Sequence, residues 1–548
     1  MTPVSVGDTR LPVDSPAPRA GLLDDPRRAR WLVGLALLLG LVVRLVVSQD
    51  AEFGSDMGLA YPVARGIATG EHFPLIGAEA SWGGRSPFPG YYYLAAPGLL
   101  LGDRPCLWMA WGALLCWLGL LPFVRLLWER YGPRVAVFGA VLVATSPWHV
   151  FYSESPWSPN LSVPAAACIL YVLHRVLAAP RSRWIALLPA AYLLQAHLYP
   201  NLPVTVGAGG LMLLVARPAI AWRWLLLGTG LAGLTVVPSL VHLLLQGSGE
   251  LVQVGNELPY HLGKDLLNSA YSAFLYGTSE ISYWMAKGYW FRWDTLSWLQ
   301  GLPRTLDVSY GPLLDLVVVL GLLVSVLAWA RGATQGVRAL IRRPLRELDP
   351  LAVGLVGGAL ASVLMGPLLH KPFLVRYNIV LIWFSFVPLL LLYARSGRLG
   401  QRLLGLYLLV LVPGNLALVH HFYDRIAHPN SVRTISDVVG IVHAEQGARP
   451  FELSYPTRRL TLAVRRLGTG IHGAGWQMVG KAPVRYAVLP RPERMKPHHR
   501  ALYATPGARI WDIYQAVLVR VPGALASLPA GPHAKPAVGA TRVGAARR

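Results

Sequence analysis

WLVGLALLLGLVVRLVV, residues 31–47, is the segment that decides the fold class. It follows a basic cluster of Arg27, Arg28 and Arg30, and its length is enough for a helix to begin to cross a hydrocarbon core of about 30 Å. The run lacks the small-residue cleavage site that a removable signal peptide carries. The segment therefore predicts a retained first membrane span, entered from the side of the arginines.

The same apolar pattern recurs along the chain. Of its 548 residues, 54% are hydrophobic and 14% are charged, and the mean hydropathy is +0.44, so an ordinary soluble globular fold is excluded. The predicted spans are 31–47, 105–127, 134–150, 159–178, 184–199, 201–216, 224–246, 311–330, 351–369, 373–393 and 403–422. We therefore predict an all-α polytopic membrane protein with about 11 transmembrane helices.

The distribution of charge predicts the orientation of these spans. The net charge is +23, but the basic residues are scattered between the spans and form no single soluble face, so no nucleic acid partner is predicted. Every second connection is basic, as cytoplasmic loops are. The others are acidic or poor in basic residues, including the long loops 48–104 and 247–310. The N-terminus is thus predicted in the cytoplasm and both long loops on the outer face of a bacterial inner (plasma) membrane, since the high ratio of Arg to Lys is typical of GC-rich bacteria.

Four regions are predicted along the chain. Residues 1–30 form a cytoplasmic tail, 31–422 the transmembrane domain, 423–522 a small extracytoplasmic α/β domain and 523–548 a disordered tail rich in Ala, Pro, Gly and Arg. The α/β prediction rests on alternating segments such as VRYAVL (484–489) and IWDIYQAVLV (510–519). Within the first outer loop, the segment GRSPFPGYYYLAAPGLLL (84–101) is predicted as a helix in the membrane interface, because a span there would place the basic connection after residue 125 outside.

Acidic residues are nearly absent from the spans and concentrated in the outer loops. A proton- or ion-coupled transporter keeps such groups near the bilayer midplane, so their absence counts against transport. The three cysteines, Cys106, Cys116 and Cys168, form neither a disulfide framework nor a zinc pattern. An interfacial enzyme explains the polar residues best. A lipid-linked oligosaccharide flippase or other transporter, or a non-catalytic membrane scaffold, remains as an alternative.

Several short motifs occur in a fixed order. These are D-x4-Y-x2-AR-x3-TG from Asp56 to Gly70, the prolines 87 and 89 before Tyr91, Tyr92 and Tyr93, SPWHVFYSES (146–155) and RYNIVL (376–381). Together they resemble the GT-C membrane glycosyltransferases, and most of all the branch of protein O-mannosyltransferases and lipid A aminoarabinose transferases. The resemblance covers roughly residues 30–395. It implies a catalytic acid in the first outer loop, a sugar donor on a polyprenyl phosphate, a lipid, glycan or protein acceptor, and inversion at the anomeric carbon.

Asp56 is the predicted general base. A hydroxyl becomes a good nucleophile when a positioned carboxylate takes its proton, which contributes about 10²- to 10⁴-fold. The alternative is that Asp56 is a helix N-cap or a solvated charge. The resembled family often has Asp-Glu at this point, whereas Met57 follows Asp56 here, so Asp50 and Glu52 are kept as alternative bases.

Cations are predicted to hold the leaving phosphate. Arg376 matches an Arg-Tyr position of the resembled family and could bind phosphate oxygens in a bidentate way. Lys371, in the same segment, and Arg85, before the tyrosine-rich helix, are further candidates. The alternative for Lys371 is ordinary anchoring at the membrane surface.

Further residues are predicted to line the substrate pocket. These are Tyr61, Glu154, His197, Tyr199 and Tyr377. Glu154 is the strongest second acid, with an interfacial cap as its alternative, and His197 is alternatively a hydrogen-bonded packing residue. No cluster has the spacing of a metal site; some enzymes of the resembled class use a divalent cation, but nothing in this sequence requires one, and no cofactor is assigned.

Overall fold

The structure is a computed structural model of the 548-residue chain. It describes residues 25–77, 88–179, 181–199, 201–247, 312–342, 347–369, 375–425 and 431–454, together with residue 23 and single residues or short segments elsewhere, among them 276–278, 484–490, 508–513 and 516–521. The chain divides into two compact units: Met1–Glu52 with Leu59–Val432, and Phe53–Gly58 with Arg433–Arg548. Most of the loop 247–310 and the predicted tail 523–548 lie outside the described residues.

Helices dominate the described chain. The first are Pro26–Ser48, Ser55–Ala68, Gly90–Ala95, Pro97–Leu100, Pro105–Leu118, Leu120–Tyr131, Pro133–Thr145, Pro147–Phe151 and Ser158–Ala178. They continue with Leu187–Leu198, Leu202–Ala216, Trp222–Gly233, Val237–Gln246, Pro312–Arg342, Pro350–Leu369, Ile382–Ser385, Val387–Arg395, Arg398–Arg425 and Val432–Gln446. Short 3-10 turns occur at Arg183–Ala186, Leu234–Val236 and Val375–Leu381.

Seven helical segments of the described chain are long and apolar enough to cross a membrane. They are Pro26–Ser48, Pro105–Tyr131, Ser158–Ala178, Trp222–Gln246, Pro312–Arg342, Asn378–Arg395 and Arg398–His421. Shorter apolar helices, Pro133–Thr145, Leu202–Ala216 and Pro350–Leu364, overlap the predicted spans 134–150, 201–216 and 351–369. The predicted all-α polytopic membrane fold is therefore confirmed, while the number of eleven crossings stays a prediction.

The structure differs from the predicted spans at three places. The span predicted at 134–150 ends at Thr145, because Ser146 leaves the helical conformation and accepts from the His149 N–H, and Pro147 starts a new helix. The span predicted at 373–393 begins as the 3-10 segment Val375–Leu381. The span predicted at 311–330 continues to Arg342, since no proline interrupts it before Pro344.

A buried arginine joins the first span to a neighbouring helix. Arg44 has no exposed surface, and its guanidinium donates to the carbonyl oxygens of Ala144 at 2.9 Å and Val143 at 3.0 Å. These carbonyls end the helix Pro133–Thr145, where a cation is favoured by the helix dipole. A Cβ at Gly40 would lie 3.0 Å from that of Ala144, so the two backbones approach closely. The charge is thus accommodated inside the apolar segment by protein carbonyls.

Small residues allow a second close approach. A Cβ at Gly207 would lie 2.2 Å from the Cβ of Ala361, and one at Gly357 would lie 2.5 Å from the carbonyl oxygen of Gly207. Helices Leu202–Ala216 and Pro350–Leu369 therefore touch backbone to backbone, as apolar helices do where packing must replace the hydrophobic effect.

The C-terminal unit contains the predicted small α/β fold. Four strands, β1 (Glu452–Ser454), β2 (Arg485–Pro490), β3 (Arg509–Ile513) and β4 (Ala516–Val521), form a sheet in the order β1-β2-β4-β3. β1 pairs with β2 in parallel, and the other pairs are antiparallel. The predicted small sheet is thus present.

A single glutamate ties a helix to this sheet. Arg509 and Arg520 lie directly opposite each other on β3 and β4, an arrangement of like charges that is unfavourable by itself. Glu445, near the end of helix Val432–Gln446, accepts from Arg509 at 3.0 Å and from Arg520 at 2.9 Å. Its charge compensates both cations and joins helix and sheet.

Candidate active site

A short helix directly after the first span carries the predicted base. This loop helix is Ser55–Ala68, and Asp56 lies in its first turn. An acid there is stabilised by the helix dipole, which agrees with the catalytic prediction and with the N-cap alternative alike. Its packed side chains recur every three or four residues, as one face of a helix does: Met57, Ala60, Tyr61 and Ala64.

Asp103 holds two side chains of the loop helix. The Tyr61 hydroxyl donates to Asp103 Oδ1 at 2.8 Å, and Arg65 Nε donates to Oδ2 at 2.7 Å. Tyr61 has no exposed surface, and its ring meets Trp108 edge to face, with centroids 5.5 Å apart. Burial and the Asp103 carboxylate raise the pKa of Tyr61. The structure thus places this predicted substrate residue in a packed, hydrogen-bonded position.

Side-chain hydrogen bonds to backbone carbonyls connect described parts of the first loop to each other and to the following helix. Tyr93 Oη donates to the Pro74 carbonyl at 3.0 Å, and Trp108 Nε1 donates to that of Ala95 at 3.1 Å. Tyr91 and Tyr92 are buried, while Tyr93 is 37% exposed. The tyrosine-rich segment forms helices far too short to span a membrane, and its predicted place in the interface stays a prediction.

His197 has protein partners on both ring nitrogens. The Gly90 N–H donates to Nδ1 at 3.2 Å, so Nε2 carries the ring proton and donates to Thr235 Oγ1, 3.1 Å away. The Phe88 ring lies 4.9 Å from the imidazole. This environment corresponds to the packing alternative, and a pocket role for His197 stays a prediction.

Tyr199 lies near an aromatic cluster. It caps helix Leu187–Leu198 in an extended conformation and influences Tyr276 electrostatically. The Tyr276 ring contacts those of Trp148 and Tyr152, with centroids 5.3 and 6.0 Å away. Trp148 and Tyr152 come from the motif 146–155, so this motif supplies two rings of the cluster around Tyr276.

Glu154 is a buried acid between two helices. It follows the short helix Pro147–Phe151 and is 2% exposed. The Tyr423 hydroxyl donates to its Oε2. Burial, and to a smaller extent the nearby charge of Glu52, raises the pKa of Glu154 well above its usual value. Burial therefore favours the protonated form of this carboxyl group.

The alternative bases, Asp50 and Glu52, belong to a segment that pairs with residues 431–432. Glu52 forms an isolated antiparallel bridge with Ser431, and the Val432 N–H donates to the Ala51 carbonyl at 2.9 Å. The structure thereby brings Glu52 into the surroundings of Glu154, two predicted acids that are far apart in sequence.

Among the predicted site residues, the structure describes the phosphate ligands in the least detail. Arg376 and Tyr377 belong to the 3-10 segment Val375–Leu381, of which the structure describes the backbone at these two positions. Lys371 and Arg85 lie outside the described residues. Within the part of the chain that the structure describes, no group of three or more His, Cys, Asp or Glu is arranged to hold a metal ion.

Two residues of this region are not among those that the sequence predicts. Asp103 is one of several acids in the first outer loop, and Tyr423 directly follows the predicted span 403–422. Both act through partners distant in sequence, Tyr61 at 42 residues and Glu154 at 269 residues. The available signal was weak: an acid shortly before the proline that starts a helix, and a tyrosine at the end of an apolar run.

Comparison with known proteins identifies similar structures at low identity. No protein-family model and no curated protein matches the chain. ArnT from Cupriavidus metallidurans is 15% identical with a TM-score of 0.49, over 90% of this chain and 98% of ArnT. The Archaeoglobus fulgidus oligosaccharyltransferase is 12% identical with a TM-score of 0.45, over 80% of this chain and 61% of that one.

A third similar structure is the arabinosyltransferase EmbB from Mycobacterium smegmatis, 14% identical with a TM-score of 0.33, over 78% of this chain and 44% of EmbB. All three are GT-C glycosyltransferases, the class that the sequence motifs resemble.

Proposed function

We propose that this chain is an integral membrane glycosyltransferase that moves a sugar from a polyprenyl-phosphate donor to a hydroxyl of a lipid, glycan or protein acceptor. The observation that carries the proposal is the position of Asp56, the acid in the first turn of a packed helix that closely follows the first span. A carboxylate at that point of the chain is close in sequence to the membrane surface, where a lipid-linked phosphate has its headgroup. The order of the motifs around Asp56 supports the same class.

Asp56 acts as the general base in this proposal. Its carboxylate takes the proton of the acceptor hydroxyl as the hydroxyl oxygen attacks the anomeric carbon from the side opposite the phosphate. The new C–O bond forms while the bond from the anomeric carbon to the phosphate oxygen breaks. The products are the glycoside with inverted configuration, the polyprenyl phosphate and a protonated Asp56, which returns its proton to solvent.

Cations stabilise the leaving phosphate. Polyprenyl phosphate leaves as an anion and needs no proton, so a guanidinium or ammonium that strengthens its contact as the charge develops lowers the barrier. We assign this role to Arg376, with Lys371 and Arg85 as additional ligands. No metal ion is needed for this step.

The substrate pocket is assigned to Glu154, Tyr199 and Tyr377. The protonated form of Glu154, which burial favours, can donate a hydrogen bond to a sugar oxygen, whereas an ionised carboxylate cannot. The aromatic rings offer flat apolar faces to a sugar. Tyr61 and His197, which the sequence also predicts for this pocket, have protein partners on their polar atoms.

The proposed orientation places the N-terminus in the cytoplasm and the loops 48–104 and 247–310 outside. A membrane-impermeant maleimide is expected to modify Glu71→Cys in intact cells or spheroplasts, because Glu71 is exposed in the first loop. Modification that occurs only after permeabilisation would contradict this orientation.

The proposal is tested by transfer with purified protein in lipid nanodiscs. Radiolabelled sugar is supplied on polyprenyl phosphate, and on a nucleotide diphosphate in a parallel reaction. Transfer from the lipid donor alone, with the anomeric configuration of the product opposite to that of the donor, is expected. Retention of configuration would contradict the single-base mechanism. Absence of transfer with every lipid donor, together with movement of such lipids across the bilayer, would favour the flippase.

A further inference from the structure

We infer that Asp103 is a positioning residue: it fixes the rotation of the loop helix Ser55–Ala68 about its own axis and thereby the direction in which Asp56 points. The inference rests on the proposed function of Asp56. It concerns a residue that does not belong to the predicted site and that contacts the helix rather than a substrate.

The first step is the two-point contact. Tyr61 and Arg65 are one helical turn apart, so both project from the same side of the loop helix. Each donates to a different oxygen of the same carboxylate, at 2.8 and 2.7 Å. Together with the packing of the buried face, two donors on successive turns restrain both the rotation of the helix and its position along the axis.

The second step is the rigidity of the residue that provides the contact. Asp103 lies in a tight turn in which Arg104 N–H donates to the Gly102 carbonyl at 2.8 Å. Gly102 has a φ of +146°, which favours glycine. Helix Pro105–Leu118 follows at once, and its Trp108 packs edge to face on the Tyr61 ring. The carboxylate is therefore presented by a folded turn.

The third step relates this contact to Asp56. At about 100° per residue, Arg65 lies about 180° around the loop helix from Asp56, and Tyr61 about 140°. Asp103 thus holds the side opposite Asp56. With side chains reaching about 6 Å from the helix axis, a rotation of about 20° moves the Asp56 carboxylate by about 2 Å. A displacement of about 1 Å can already cost about 100-fold in rate.

The test combines kinetics with a probe of the helix. In the transfer assay, Asp103→Ala is expected to lower kcat by about 10- to 100-fold with KM values for donor and acceptor changed less than about twofold. Asp103→Asn keeps an acceptor for Tyr61 but loses the charge facing Arg65, so its kcat should fall in between. Arg65→Gln removes the guanidinium that donates to Asp103, and Arg125→Gln is its control. Arg125 forms a similar 2.7 Å pair with Glu129 on another helix, and its substitution should leave kcat unchanged.

A nitroxide spin label reports the mobility of the loop helix independently of the transfer activity. Ile67 lies about 20° from Asp56 around the helix, so a spin label on Ile67→Cys, in a Cys106→Ser and Cys168→Ser background, follows the side that carries the base. Asp103→Ala is expected to increase the mobility of this label, while Arg125→Gln should not.

The outcomes separate this inference from the proposed function. A lower kcat at constant KM together with a more mobile label supports the inference. A label of unchanged mobility in Asp103→Ala overturns it, even where transfer itself is observed. A more mobile label with unchanged kcat overturns the positioning role and leaves the proposed transferase intact. If wild type transfers no sugar while the label still responds, the contact is real and the proposed function, with the catalytic meaning of Asp103, is wrong.

Discussion

Asp103 and Glu154 each accept a hydrogen bond from a buried tyrosine, yet their surroundings differ. The side chain of Asp103 is 42% exposed and also accepts from the guanidinium of Arg65. Glu154 is 2% exposed, and its nearby charge is that of Glu52, of the same sign. The first carboxyl group forms an ion pair at the edge of the loop, and the second is an interior group whose protonated form is favoured by burial.

Two acids of the same unit thus have two different roles. A partly exposed carboxylate paired with a guanidinium can fix another element in place. A buried carboxyl group beside a charge of the same sign favours its protonated form, because ionisation in the interior is costly. The helix Pro105–Leu118 connects the two regions, since Asp103 lies just before it and Gly112 packs against the segment that follows Glu154.

The largest effect is expected for Gly112→Ala. A Cβ at Gly112 would lie 2.1 Å from the backbone nitrogen of Pro156 and 2.4 Å from the carbonyl carbon of Ser155. Backbone atoms cannot rotate away, so the helix and the segment must separate, at a cost of about 3 kcal/mol. We expect much less folded protein in size-exclusion chromatography and a clearly lower Tm.

Gly230→Ala is the matched control for this substitution. Gly230 is also helical, but nothing lies within 4 Å of a Cβ built there, so the change should be neutral or slightly stabilising. Equal yields of the Gly112→Ala and Gly230→Ala proteins would show that the two regions are not packed as described.

A smaller effect is expected from a pair of Tyr→Phe substitutions. Tyr423→Phe removes the hydroxyl that donates to the interior Glu154, and an unsatisfied buried group costs about 1–3 kcal/mol. Tyr61→Phe removes the corresponding donor of Asp103, which retains Arg65 and water, so about 1 kcal/mol or less is expected. Thermal unfolding in detergent should therefore give a lower Tm for Tyr423→Phe than for Tyr61→Phe. The reverse order would contradict the comparison.

The smallest expected effect is a change in pH dependence. Because burial raises the pKa of Glu154 in the folded state, this group favours folding most at low pH. Its contribution is lost as pH rises from the ordinary Glu pKa, about 4.3, through the raised folded value. The amide of Glu154→Gln does not titrate in this pH range. Its Tm relative to wild type should rise by about 2 °C between pH 5 and pH 8, and a constant difference would show that Glu154 is ionised.

The apolar segments were predictable because a membrane helix is a local property. Within the described residues, each predicted span overlaps helical structure, because a long apolar run favours a helix by itself. Breaks inside spans were harder. The end of a helix at Thr145 depends on Ser146 and Pro147, signals that an apolar window averages away.

The tertiary partners of polar side chains could not be predicted. Arg44 reads as an arginine misplaced in the first span, and its partners Val143 and Ala144 are about 100 residues away. The burial of Glu154 and the contacts of Asp103 likewise depend on which helices meet. The roles of Asp56 and Arg376 were predicted from motif order, and they remain predictions.

The most direct test of the central claim is the transfer rate of Asp56→Asn measured against Asp315→Asn. Asp315 is likewise an acid in the first turn of a helix, Pro312–Arg342, so it controls for loss of an acid at a helix N-terminus. With equal amounts of folded protein, Asp56→Asn is expected to lose at least about 100-fold in kcat and Asp315→Asn to transfer as wild type does. Equal transfer by wild type and Asp56→Asn would contradict the claim, and the base would then have to be sought at Asp50, Glu52 or Glu154.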